Sequence, residues 1–356
     1  MDIISAYKEN AKGSSHFLPN RFLEAFSPEV FNAVGYPTQV QSKKQLWRYV
    51  DVMHETGFPG ILDLFLGALT NEEFELFKLV VKKTAAFSKK AYGKTVVPKS
   101  SLLWAFITLR HINLSFPLGK SLRVLEIGPG SGFFSILARL SGYSYKGFEI
   151  TEAFYLHQHF LWKHFFGDSL NDLAFNKTQL SGDHSGITHI PFWKFHNSNF
   201  DLFDLNLDAI VMVDVICEMQ IFAFRYLGRQ ASHWLTRSSS ESMLFVQGTG
   251  AQHRNRIEDV IGALHTMGLP LRYSDKMSLP PKYAPHDMFF WFSPATNKCA
   301  IDAIKVDAGR KRFLENAKID SRQVNEWLLS NFSLVDLKTD DEKFWDFCNG
   351  YEWKWY

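Results

Sequence analysis

The chain has 356 residues, enough for two domains or one elaborated domain at roughly 150 residues each. Lys and Arg number 39 against 37 Asp and Glu, a balance of +2, and 46% of residues are hydrophobic. Such a composition buries a sizeable core and argues against disorder. It also speaks against a nucleic-acid partner, because phosphate contacts need a surplus of Lys and Arg. Three cysteines, Cys217, Cys299 and Cys348, are too few and too scattered for a disulfide framework or a thiolate zinc site. The opening residues MDIISAYKEN lack a basic stretch followed by an apolar one. No apolar run approaches the ~20 residues of a membrane helix. A cytoplasmic protein of a reducing compartment, with no membrane partner, is therefore expected.

Residues 1–98 read as a helical region, placed either to cover a substrate as a lid or to make a homodimer. Apolar residues recur at three- and four-residue spacing in RFLEAFSPEVFNAV, QLWRYVDVMHETG and ILDLFLGALTNEEFELFKLVVKKTAAF. Asn71, ahead of Glu72 and Glu73, reads as a helix N-cap. GYPTQV and GFPG break these segments, and KKAYGKTVVPKSS reads as a polar linker. SLLWAFITLRHI then predicts one more amphipathic helix.

From Leu122 the pattern alternates between strand and helix. RVLEIG, YSYKGFEI, ITHIPFWKF, LDAIVMVDVI and SMLFVQG read as strands, separated by helices such as EAFYLHQHFLWKHFFG, FAFRYLGRQASHWLTR and NRIEDVIGALHTMG. LPLRYSD and DMFFWFS close the series as an antiparallel pair at one edge. This order predicts an α/β fold, a doubly wound and mostly parallel sheet over residues 99–297. Residues 298–356 read as a C-terminal extension, with NAKIDSRQVNEWLLSNF as one helix before an acidic, aromatic tail.

Val124 to Phe133 reads V-L-E-I-G-P-G-S-G-F, a strand running through a glycine-rich turn into a helix. Glycines at 128, 130 and 132 let the backbone approach a ligand with no Cβ in the way, and the helix start offers free N–H groups. A dinucleotide fingerprint would need a glycine where Phe133 stands. Glu126, two residues ahead of the first glycine, would repel a pyrophosphate and attract a ligand with a cationic end.

This stretch resembles motif I of the class I S-adenosylmethionine-dependent methyltransferases, whose form is acid-x-Gly-x-Gly-x-Gly after the first strand. Glu149, ending YKGFEI, stands where that superfamily places an acid on the cofactor's ribose hydroxyls. A carboxylate suits that task because it accepts two O–H bonds in bidentate fashion. The resemblance covers about residues 100–295 and implies a Rossmann-like methyltransferase sheet with S-adenosyl-L-methionine as cofactor. It assigns cofactor contacts to Glu126, Gly128, Pro129, Gly130, Gly132, Phe133, Glu149, Ile150 and Asp214. Asp214 would flank the methionine portion and the substrate. The segment near the adenine would fall around Trp193 to Asn197, with Asn197 either meeting the amino group or lying on a surface loop.

Nucleic-acid amino-methyltransferases commonly carry Asn/Asp-Pro-Pro-aromatic after the fourth strand, where this chain reads VDVICEM. The overall layout is similar to the sugar O-methyltransferases of bacterial surface-polysaccharide clusters. That similarity implies a small-molecule substrate, a sugar or glycan precursor methylated at a hydroxyl. Methylation of another natural-product intermediate at nitrogen or oxygen, or a non-catalytic cofactor-binding protein, are the alternatives. A sugar hydroxyl is a poor nucleophile at neutral pH, so a general base or a metal should assist. Candidate catalytic residues at the carboxyl edge of the sheet are His253, His286, Asp214 and Glu218, with Tyr283, Asp287, His184 and His189 nearby. No metal-ligand set is assigned.

Overall fold

The computed structural model describes residues 2–14, 38–51, 68–116, 119–176, 186–195, 206–216, 219–239, 241–247, 256–276, 287–297 and 303–337. Among the described residues there are eight strands: β1 Arg123–Ile127, β2 Ser144–Glu149, β3 Leu170–Asp172, β4 Ile187–Pro191, β5 Ala209–Val213, β6 Met243–Gln247, β7 Leu271–Lys276 and β8 Asp287–Phe292. They form one sheet in the order β3-β4-β2-β1-β5-β6-β8-β7. All neighbours from β3 to β6 pair in parallel, and β8 runs antiparallel to both β6 and β7. The expected antiparallel pair is there, with the later strand inserted between β6 and the edge.

Successive residues of each parallel strand feed opposite cores, as the two-residue repeat of a strand requires. Val124, Tyr145, Ile187, Val211 and Phe245 pack on one face with helices of the N-terminal half. Leu125, Ile127, Phe148, Ile210 and Leu244 pack on the other with the helices that follow β5 and β6. Both faces being covered explains the nearly continuous apolar runs of the central strands.

The helices are α1 Ile3–Ser14, α2 Asn71–Tyr92, α3 Lys99–Leu114, α4 Phe133–Leu140, α5 Glu152–Phe166, α6 Phe192–Phe195, α7 Ile221–Arg237, α8 Ile257–Thr266, α9 Ala303–Asn316, α10 Ser321–Asn331 and α11 Leu334–Leu337, with a 3₁₀ helix at Lys43–Tyr49. Among the described residues no helix is long and apolar enough to cross a membrane. Helices α1 to α3 and the 3₁₀ helix share one continuous core with the first sheet face.

Several local expectations differ from the structure, each for a physical reason. Thr70, not Asn71, caps α2: its hydroxyl accepts from Glu73 N while the Glu73 carboxylate accepts from Thr70 N, a reciprocal capping box. Helix α3 is buried nearly all round rather than amphipathic, because it packs against α4 and α9 and meets β6 and β8 through Thr108 and His111. The segment ITHIPFWKF is strand only as far as Pro191 and then turns into α6. The segment NAKIDSRQVNEWLLSNF is not one helix. Asp320 and Gln323 form a second capping box that starts α10 afresh, and Ile319 bridges to Leu69 in the gap after α9. The edge strand β3 has three residues, too short for a periodic signal.

Candidate functional site

From β1 the sheet extends through β2, β4 and β3 on one side, the strands that follow β1 in the chain, and through β5 and β6 on the other. The crevice at the carboxyl ends of β1 and β5 is therefore the topological switch point, where open α/β sheets hold ligands. The loop from Gly128 to Gly132 leaves β1 there, and Asp214 follows β5. The two loops touch, since a Cβ added at Gly128 would lie 2.5 Å from Val215 Cγ2.

Gly128, Gly130 and Gly132 have φ of 71°, 56° and 78°, the left-handed region that side chains resist. Their surroundings separate their tasks. A Cβ at Gly132 would lie 2.8 Å from Trp162 Nε1, so positions 128 and 132 also serve close packing. A Cβ at Gly130 meets nothing within 4 Å, which makes this the residue of the loop with open space beside it.

Helix α5 holds the loop from behind. Gln158 Nε2 donates to Gly130 O at 2.7 Å, and Trp162 Nε1 donates to Gly132 O at 3.1 Å. Gly128 N donates to Phe148 O at 2.9 Å, tying the loop to the end of β2. Pro129 closes the turn by accepting from Gly132 N at 2.9 Å. Phe133 opens α4 inside the core, 1% exposed.

Two buried acids stand beside the loop. Glu126 accepts from the Tyr145 hydroxyl, and burial pushes its carboxyl up to about 8, with the charge of Glu149 adding to the rise. Glu149 Oε1 accepts from Ile150 N and Thr151 N, both at 2.9 Å, and Oε2 accepts from Gln158 Nε2 at 3.1 Å. Burial still pushes Glu149 up to about 7 against these three bonds. Three of the roughly four acceptor positions of the carboxylate are thus taken by the chain's own N–H groups.

A buried polar chain continues from Gln158. Its Nε2 faces two acceptors, so the amide cannot be reversed, and Oε1 must take the proton of His189 Nε2 at 2.9 Å. His189 Nδ1 lies 3.4 Å from Asp172 Oδ2, which also pairs with His159 Nδ1 at 2.6 Å. Asp172 Oδ1 accepts from Tyr155 OH at 2.6 Å and Ala174 N at 2.9 Å. Burial alone would raise Asp172, but the bonds and charge of both histidines hold it well below the ordinary carboxylate range. Burial lowers His189 despite Asp172, and its ring stacks on Tyr155 at 3.6 Å. His189 is thus an interior link, away from any acceptor at the sheet edge.

Asp214 adopts φ 54°, a left-handed conformation that Asp tolerates better than most residues, and its N–H donates to Gln247 O at 3.0 Å. Farther along the same edge, Thr108 Oγ1 donates to Gln247 Oε1 at 3.0 Å, and His111 lies 3.8 Å from Asp275 while stacking on Phe289 at 3.7 Å. His253, His286, Glu218, Tyr283, His184 and Asn197 lie outside the described residues, as does the side chain of Asp287. Sequence patterns did not single out Gln158, Trp162, Asp172 or the His111–Asp275 pair. The four-residue spacing of Gln158 and Trp162 puts them on one face of α5, a signal visible only once that face was known to meet the loop.

No protein-family model matches the sequence, and no curated protein matches it. Solved structures with a similar fold include a methyltransferase from Pyrococcus furiosus, at 11% identity over 62% of this chain and 100% of that one, with a TM-score of 0.37. Another is the magnesium protoporphyrin IX methyltransferase from Synechocystis PCC 6803 with bound SAH, at 12% identity over 65% and 98% of the two chains and a TM-score of 0.34. A third is the precorrin-6y C5,15-methyltransferase from Geobacter metallireducens GS-15, at 13% identity over 52% and 86% and a TM-score of 0.34. Likenesses this weak say nothing of activity or substrate here.

Proposed function

We propose that the chain is an S-adenosylmethionine-dependent methyltransferase acting on a small molecule, with a sugar hydroxyl as the acceptor. The observation that carries this reading is the glycine loop at the switch point, open beside Gly130 and flanked by two buried acids. The donor set fits such a cofactor. Glu126 and Glu149 are carboxyls raised by burial, Glu126 also by the charge of Glu149, and a cationic ligand end would relieve what burial costs them. Gly130 offers a backbone surface without a side chain, and Glu149 and Ile150 stand beside it for the ribose. Asp214 lies across the crevice, toward the substrate side. When bound, the cofactor supplies an electrophilic methyl group.

The protein's own share of the chemistry is alignment, exclusion of water and removal of the acceptor proton. For a sugar hydroxyl, His253 or His286 is proposed as the base, with Asp214 and Glu218 next. Residues 1–98 are proposed to select the substrate: α1 already reaches the start of α5, through Lys8 Nζ to Val40 O at 2.7 Å and Lys8 to Glu152 at 3.6 Å. The sugar assignment rests on the sequence resemblance alone.

One observation favours a second reading, a cofactor-shaped protein without catalysis. Three N–H bonds already occupy Glu149, so at least one must give way before two ribose hydroxyls can bind in bidentate fashion. Mass spectrometry of nucleotide sugars and of amine-bearing intermediates, after incubation with S-adenosylmethionine, tests the proposal. A gain of one methyl group on a sugar hydroxyl is expected. Methylation of amines alone would overturn the sugar assignment.

A further inference from the structure

Helix α2 is acidic at its start and wholly basic after Glu75. Its solvent side carries Lys82, Lys83, Lys89 and Lys90, all exposed, with the half-exposed Leu79 in the same stripe. The 3₁₀ helix packed against it adds Lys43 and Lys44, and the last turn of α5 adds His164. These elements form one surface: Lys43 Nζ sits 4.0 Å over the Phe160 ring, Lys83 Nζ 5.1 Å over Phe165, and His164 lies 5.3 Å from Phe87. The acids beside them are already taken, Glu75 by Lys78 and Asp168 by Lys163 at 2.7 Å. Among the described residues none of the six lysines makes an ion pair. Burial and then Lys90 lower Lys43, and burial followed by Lys83 and Lys90 lowers His164. The cations therefore sit within one another's fields. In a chain of net charge +2, such crowding is local.

A helix dipole accounts for cations in the last turn, Lys89 and Lys90, but not for Lys82, Lys83, Lys43 or Lys44. We propose that the face formed by Lys43, Lys44, Lys82, Lys83, Lys89 and Lys90 docks the protein on an anionic lipid bilayer. The cations are lysines, hydrated point charges suited to a diffuse field; the guanidinium forks that grip single phosphates are absent from the set. The aromatic rings of the face lie under ammonium groups, so they are not free to stack on unpaired bases. The apolar side of α2 is buried in the core, so attachment is electrostatic adsorption without insertion of the helix.

The test is sedimentation of the full chain with vesicles of phosphatidylcholine alone or mixed with phosphatidylglycerol, at about 0.1 M salt. Binding is expected to the mixed vesicles only, with release near ~1 M salt. Changing Lys83, Lys89 and Lys90 together to Glu should weaken it at least ~100-fold, at about fivefold per lysine. The same charge change at Lys311, Arg312 and Lys318 should weaken it far less. If the first triple variant fails to fold, single Lys→Gln changes at the same three positions carry the test, each costing about fivefold. Equal binding to neutral vesicles, no binding to anionic ones, or tighter binding to a single-stranded oligonucleotide in the same salt would overturn the proposal.

Discussion

Replacing Gln158 with Leu keeps the volume of the side chain but removes both ends of a fully used amide. Three groups lose their partner at once: the buried Glu149 Oε2 at 3.1 Å and His189 Nε2 at 2.9 Å, and the half-buried Gly130 O at 2.7 Å. Each buried group left unsatisfied costs about 1–3 kcal/mol, more when charged, and neighbouring losses are less than additive. A destabilisation of about 3–4 kcal/mol is therefore expected from the folded state alone. Part of it should escape through protonation, because the Gln158 bond is one of those holding Glu149 down to about 7. The loss should accordingly be smaller at pH 6 than at pH 8. Urea denaturation without ligand, at both pH values, measures this through the midpoint at constant slope. A loss below about 1 kcal/mol, or one independent of pH, would refute the view that this amide anchors the loop.

Further outcomes follow from the same geometry. Glu126 and Glu149, raised to about 8 and about 7 from an ordinary 4.5, bind more protons folded than unfolded, so their contribution to stability falls as pH rises from about 4.5 to 8. Thermal unfolding should show this decline, Glu126→Gln should flatten it, and an unchanged slope in that variant would count against the burial argument. Glu149→Ala should weaken cofactor binding by about 1–3 kcal/mol and Glu149→Gln by less, as read by calorimetry; equal affinities in both variants would assign the ribose to another acid. If His253 or His286 is the base, one of the two Ala variants should lose turnover about 100-fold or more with cofactor affinity intact. Full activity in both would move the role to Asp214 or Glu218.

The parts of this fold that the sequence announces are those governed by local chemistry. β1, the glycine loop and α4 follow from apolar residues, three glycines and a helix start in direct succession, and β5 and β6 from their continuous apolar runs. The acids at 126 and 149 were legible because each sits at a fixed offset from a strand end. What was not legible depends on contacts distant in sequence. Gln158 matters because α5 packs behind a loop 28 residues earlier, and His189 because β4 lies beside β2. The break before α10 rested on a capping box, Asp320 with Gln323, that local pattern could have flagged; the apolar periodicity on either side masked it. The cationic face was hidden by a near-zero net charge, since composition averages over surfaces that the fold separates.

Calorimetry of S-adenosylhomocysteine binding to the full chain and to Gly130→Val tests the central claim most directly. A Cβ placed at position 130 meets no atom of the described residues within 4 Å beyond its chain neighbours, so the variant should stay folded while its side chain enters the space reserved for the ligand. Backbone strain at φ 56° should cost it about 1–2 kcal/mol of stability. The account predicts saturable binding to the native chain and none to the variant. No heat from the native chain at millimolar ligand, or equal affinity in a folded Gly130→Val, would contradict it.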